Sequence, residues 1–164
     1  MATFIHIFTE DDKKSLLRNG IKLQKTKWRN IDGVFVSPVT EDYYFTHQWH
    51  REVNRVRNVP KLVARIKIPD DELVYLGKYN EEHVEVTASK AIGIARKHDD
   101  PHGLEVIIPR RIEPNEIQKV YKPTKIVGWR YHPKAKGTKP CGCSYCQRGE
   151  PKSKRIREEY EKDL

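Results

Sequence analysis

The stretch that decides the fold is His6-Ile7-Phe8-Thr9-Glu10-Asp11-Asp12-Lys13-Lys14-Ser15-Leu16-Leu17-Arg18-Asn19-Gly20-Ile21, read together with Gly33-Val34-Phe35-Val36-Ser37-Pro38. Residues 3–8 are rich in Phe and Ile and predict a short strand carrying one histidine, because such side chains suit a pleated, half-buried surface. Thr9 predicts a helix N-cap, with Asp12 three residues on in the manner of a capping box. Glu10, Asp11 and Asp12 put negative charge where the helix dipole favours it. Gly20 stands where a helix stops, since only glycine enters the left-handed conformation without a Cβ penalty. Residues 34–37 predict a second strand, ended by Pro38.

Working outward, Thr40 predicts an N-cap for a helix over 40–58. On that helix Phe45, Trp49, Val53 and Val56 recur at helical spacing and predict the core-facing stripe. Tyr43, His47, His50 and Asn54 share a second, polar and aromatic face, suited equally to a cleft or to the surface. Residues 62–68 alternate apolar and basic, as a strand does. A turn at 69–71 and a short strand at 73–76 follow. Residues 80–98 are ambiguous; 87–97 reads as a helix weakened by Ile92-Gly93-Ile94. A loop at 98–103 leads to a strong strand at 104–109. Residues 112–117 read as a turn into a further strand, and Val120 with residues 126–129 supplies the last β segments. Many strands with few helices in mixed order predict an α+β fold.

A chain of 164 residues fits one principal domain, since domains most often run about 100–150 residues. Hydrophobic residues make up 37% and charged residues 34%, so neither figure points to disorder throughout. The net charge of +9 is unevenly spread. Residues 1–124 hold 21 Lys+Arg against 18 Asp+Glu, whereas residues 125–164 hold 11 against 5. That division predicts a domain over 1–128 and a basic C-terminal extension over 129–164. The first fifteen residues lack the basic start and apolar run of a secretory signal. No stretch approaches about 20 apolar residues. The three cysteines lie together and form no disulfide framework. These features predict a cytoplasmic location and no membrane partner.

In order and spacing, the stretch from His6 through Phe45 resembles the first half of the ADP-ribosyltransferase fold. The branch is the histidine–aromatic–glutamate one shared by poly-ADP-ribose polymerases and diphtheria-type toxins. In that family a strand histidine precedes a helix ending in Gly plus an aliphatic residue, here His6 and Gly20-Ile21. A Gly-aliphatic-aromatic strand follows, here Gly33-Val34-Phe35, and then a helix with a second aromatic, here Tyr43 or Tyr44. The family's catalytic glutamate begins a late strand, as Glu105 does in Leu104-Glu105-Val106-Ile107-Ile108-Pro109. The resemblance covers about residues 3–120. It implies an α+β fold with an ADP-ribosyltransferase-like split β-sheet core and a few flanking helices.

The activity implied is NAD-dependent mono-ADP-ribosyl transfer to a nucleic acid or protein acceptor. Transfer breaks the bond between a ribose and a cationic nicotinamide through an oxocarbenium-like state. A carboxylate beside the ribose stabilises that charge, which is the role implied for Glu105. His6 would orient the adenosine-side ribose. Phe35 with Tyr43 or Tyr44 would sandwich the flat nicotinamide ring, and Ser37 and Thr9 would donate hydrogen bonds nearby. The chain departs from the family in having Ile7 and Phe8 where Gly and Ser often follow the histidine. Phe35 stands where tyrosine is usual. Gly103 holds the place of a second glutamate, which disfavours the arginine-modifying branch, and the arginine set of the RNA 2′-phosphotransferases is missing.

Cys141-Gly142-Cys143-Ser144-Tyr145-Cys146 forms C-x-C-x-x-C. Gly142 permits a tight turn, and with His132 as fourth ligand the set would suit tetrahedral zinc; free thiols in a turn are the alternative. From Arg130 to Arg157 the chain carries nine Lys+Arg and one acid, Glu150, with Trp129, Tyr131 and Tyr145 interleaved. Such a segment suits the phosphates and bases of DNA or RNA. Beside the transferase stands a second reading: a non-enzymatic, zinc-containing nucleic-acid-binding protein on the same fold.

Overall fold

The first strand, β1 (Ala2–Thr9), sends Ala2, Phe4 and Phe8 to one side and Ile5 and Ile7 to the other. This period-two alternation sorts the molecule into layers. The computed structural model describes residues 1–25, 31–54, 61–79, 81–100 and 102–123, and these form an α+β fold. After β1 come a 3-10 turn at Glu10–Asp12, α1 (Lys13–Asn19), β2 (Val34–Pro38), α2 (Tyr43–Thr46) and α3 (Trp49–Asn54). Then follow β3 (Lys61–Ile68), β4 (Leu73–Lys78), β5 (Val84–Thr87), α4 (Ala88–Lys97), β6 (Leu104–Ile108) and β7 (Ile117–Tyr121).

The strands make one antiparallel seven-stranded sheet in the order β5-β4-β6-β2-β1-β3-β7. Its ladders are unequal. β1 pairs with β3 along its whole length, from Ala2↔Ile68 to Thr9↔Lys61. With β2 it shares only Phe4↔Pro38 and Ile5↔Ser37. Past Ile5 these two central strands part.

The main core lies on the face carrying Phe4, Phe8, Val36, Ala64, Ile66, Leu76, Val106 and Ile108. Helix α4 covers it with Ala88, Ala91, Ile92 and Ala95, a stripe at helical spacing whose small side chains allow close approach. Leu16 of α1, Ile21 and Ile112 close one end. Each large apolar side chain buried there contributes about 1.5–3 kcal/mol relative to exposure. The opposite face holds a smaller cluster of Ile5, Val39 and Val63, with Ile7 and Tyr121 packed against it. Arg110, just past β6, clamps Glu72 before β4 and Glu116 before β7 through paired contacts of 2.6–2.8 Å. Glu116 is held below the usual carboxylate range chiefly by that guanidinium.

The first helix ends as its sequence predicts, with Gly20 at φ +75° and its N–H bonded to the Leu16 carbonyl. The helix expected over 40–58 divides instead. Asp42, not Thr40, caps α2, its carboxylate accepting from the Tyr44 and Phe45 amides at 2.8 and 3.2 Å. The Thr40 hydroxyl accepts the Asp42 N–H. Both faces are buried: Phe45, 2% exposed, joins the main core as expected, and Tyr43, His47 and His50 are 5%, 0% and 3% exposed, whereas Val53 of the expected stripe is 37% exposed. His47 tolerates burial because both ring nitrogens find partners, Nδ1 at the Tyr43 carbonyl (3.0 Å) and Nε2 at the Tyr121 hydroxyl (2.8 Å). Strand β5 comes out of the ambiguous segment, ahead of a helix capped by Thr87. Val56, the strand expected at 126–129, the extension over 129–164, and the Cys141, Cys143, Cys146 and His132 set all lie outside the described residues. Among the described residues no helix is long and apolar enough to cross a membrane.

Candidate active site

The parting of β1 from β2 opens a gap, and His6 stands in it. Alternation places His6 on the α4 side of β1, between Ile5 and Ile7. Its imidazole crosses the gap, and Nδ1 lies 2.8 Å from the Phe35 carbonyl oxygen on β2. A carbonyl only accepts, so Nδ1 carries the proton. Burial pushes His6 below its ordinary value, outweighing the Phe35 carbonyl and the Asp12 charge, which pull the other way. The neutral ring therefore keeps Nε2 as an acceptor. Thr9, at the end of β1, turns its hydroxyl to the Asp12 carboxylate.

Glu105 occupies the second position of β6 and is 6% exposed. Its neighbours Leu104 and Val106 enter the main core, so Glu105 leaves the sheet on the other face. The register Val36↔Val106 sets Ser37 beside Glu105 on that face. Ser37 is 2% exposed, and its Oγ makes no hydrogen bond among the described residues. Phe35 shares the same face one pair further along, opposite Ile107. The backbone leading into Glu105 is tightly held. Gly103, at φ +80°, donates its N–H to Gln48 Oε1 at 2.8 Å and accepts from the Tyr79 amide at 2.8 Å. The Leu104 carbonyl accepts from Trp49 Nε1 at 2.9 Å.

The structure thus joins His6 to Phe35 and sets Ser37 beside Glu105. His6 and Glu105 stand on β1 and β6 with β2 between them, at least about 10 Å apart at the backbone, and alternation sends their side chains to opposite faces of the sheet. Tyr43 and Tyr44 differ in environment. Tyr43 is buried and stacked on His47 with ring centroids 4.3 Å apart, whereas Tyr44 is half-buried and meets Tyr43 edge-on at 5.8 Å.

No family model, curated protein or solved structure matches this chain.

Within the described residues no group of three or more His, Cys, Asp or Glu side chains is placed to hold a metal ion. Two features of the site escape a reading of the sequence. Gln48 and Trp49 pin the start of β6 from 55 residues or more upstream. His83 lies 3.2 Å from Glu105, with Nε2 facing Oε1. The available signal for His83 was Gly77 inside a strand, because a lone strand glycine marks a close approach.

Proposed function

We propose that this chain is an NAD-dependent mono-ADP-ribosyltransferase, with Glu105 as its catalytic carboxylate. The observation that carries the reading is the buried carboxylate at the head of β6. It stands beside Ser37, on the face of the sheet opposite to that of His6, with the gap between β1 and β2 opening from one face to the other. The short β1–β2 ladder is consistent with the split sheet of the ADP-ribosyltransferase fold, and the seven strands keep the order of motifs along the chain. Substrate NAD would thread this gap, with a ribose hydroxyl donating to His6 Nε2 on the α4 side and the nicotinamide against Phe35 on the other. Tyr44, the less buried of the two tyrosines, is the better second wall.

Glu105 would stabilise positive charge as the bond between the anomeric carbon and the nicotinamide nitrogen breaks. The bonding pair leaves with nicotinamide, which departs neutral. The acceptor's nucleophile then bonds to the anomeric carbon and releases its proton to solvent. NAD labelled on the adenylate, incubated with the full chain and single-stranded DNA, RNA or lysate protein, tests this. Label transfer is expected, falling at least about a hundredfold in Glu105→Gln. Transfer that survives the substitution unchanged overturns the assigned chemistry, and calorimetry without NAD binding overturns the pocket.

The net charge of residues 125–164, 11 Lys+Arg against 5 Asp+Glu, favours a second reading as a nucleic-acid binder. Binding that falls steeply with salt and ignores NAD would support it.

A further inference from the structure

We infer that His83 is a positioning residue for Glu105, holding the carboxylate in place from across β4; the inference rests on the reading of Glu105 as catalytic. Gly77 of β4 pairs directly with Glu105 of β6. A Cβ on Gly77 would fall 2.8 Å from His83 Cγ and 2.9 Å from its Nδ1. The missing side chain is what lets the ring lie over the β4 backbone and reach the next strand. There Nε2 stands 3.2 Å from Glu105 Oε1, with the two side chains 5% and 8% exposed. The direction falls short of an aligned hydrogen bond, so the contact is a close polar approach of the ring nitrogen to the carboxylate oxygen.

The other ring nitrogen fixes the chemistry of the pair. His83 Nδ1 lies 3.0 Å from the Glu81 carbonyl and must carry a proton there. The contact is shielded from water, where a polar interaction is far stronger than at a surface. Glu105 is then held at two levels. Gln48, Trp49 and the Tyr79 amide secure its backbone, and His83 secures its carboxylate. A displacement of about 1 Å at a reacting group can cost on the order of a hundredfold in rate, so losing the second hold has a kinetic cost that leaves substrate binding largely intact.

The test uses the full-length chain and four variants: His83→Leu, His83→Gln, Glu105→Gln, and the His83→Leu/Glu105→Gln double. In NAD-dependent transfer, His83→Leu is expected to lower kcat at least about tenfold while KM for NAD stays within about twofold. His83→Gln keeps an N–H donor near the position of Nε2 and is expected to recover most of that loss. Wild-type transfer with kcat unchanged in His83→Leu overturns the inference, as does His83→Gln falling as far as His83→Leu. A thermal double-variant cycle reads the pair without any transfer. The Tm loss in the double variant is expected to be smaller than the sum of the single losses, and additive losses overturn the pairing. A wild-type chain that shows this coupling but transfers no label overturns the transferase reading, and with it the catalytic purpose assigned to His83.

Discussion

At the scale of the residue, Gly20 and Gly77 serve different ends. Gly20 sits at φ +75°, and a Cβ there would come within 2.0 Å of the Ile112 carbonyl oxygen. Its own neighbour Ile21 exchanges both backbone hydrogen bonds with Ile112 at 2.9 and 3.0 Å, so the carbonyl cannot withdraw without breaking them. Gly20→Ala is expected to cost at least about 2 kcal/mol, combining the left-handed backbone with a clash against main chain. Urea unfolding of the two proteins would measure it. Gly20 was legible in the sequence because helix termination is local chemistry, written in the residues just before it. Gly77 was not, because what it accommodates is a histidine on the far side of a turn. His6, Ser37 and Glu105 could be singled out by type and order, but neither the gap that His6 crosses nor the neighbours of Glu105 could be foreseen.

Among the elements, α2 and α3 carry the larger lesson. Their segment was legible as helical and aromatic, yet the apolar stripe, which Phe45 follows into the core, told only part of what is buried. On the other face His47 is satisfied by the Tyr43 carbonyl and the Tyr121 hydroxyl and stacks on Tyr43, so its burial costs little, and Val53 is left outside. The consequence for the site is that Gln48 reaches the Gly103 amide while Trp49 reaches the Leu104 carbonyl. Gln48→Ala removes the acceptor of a buried N–H, and a loss of about 1–3 kcal/mol is expected. Transfer activity should fall as well, because the freed turn leads directly into Glu105. Denaturation midpoints and transfer rates on the same preparation check both parts, and a variant with wild-type values in each would show the pin to be idle.

For the whole molecule, three buried histidines couple folding to pH. Burial lowers His6, His47 and His50, and His47 is brought down from 6.5 to about 4. The unfolded chain therefore binds protons between these values that the folded chain refuses. Stability is fully present above about 6.5 and is lost as pH falls toward 4. For His47 alone the loss approaches about 3 kcal/mol. Urea unfolding from pH 7 to pH 4.5 should show this decline, with a shallower slope in His47→Gln. The α+β class was legible from strand spacing and from the glycine that stops α1. The strand order was not, since β1, β2 and β6 meet through pairings distant in sequence that no local pattern encodes.

The unequal ladders make the sheet two ribbons sewn together by a single short hem. Each ribbon keeps its own full lacing, so rocking one against the other about that hem disturbs few ladder bonds. Across the open stretch one imidazole leans on one peptide oxygen, worth about 1 kcal/mol, while the shared core and α4 still span both ribbons. A thin, flat guest entering at that mouth would therefore be resisted by the apolar layer beneath it more than by any lacing of main chain.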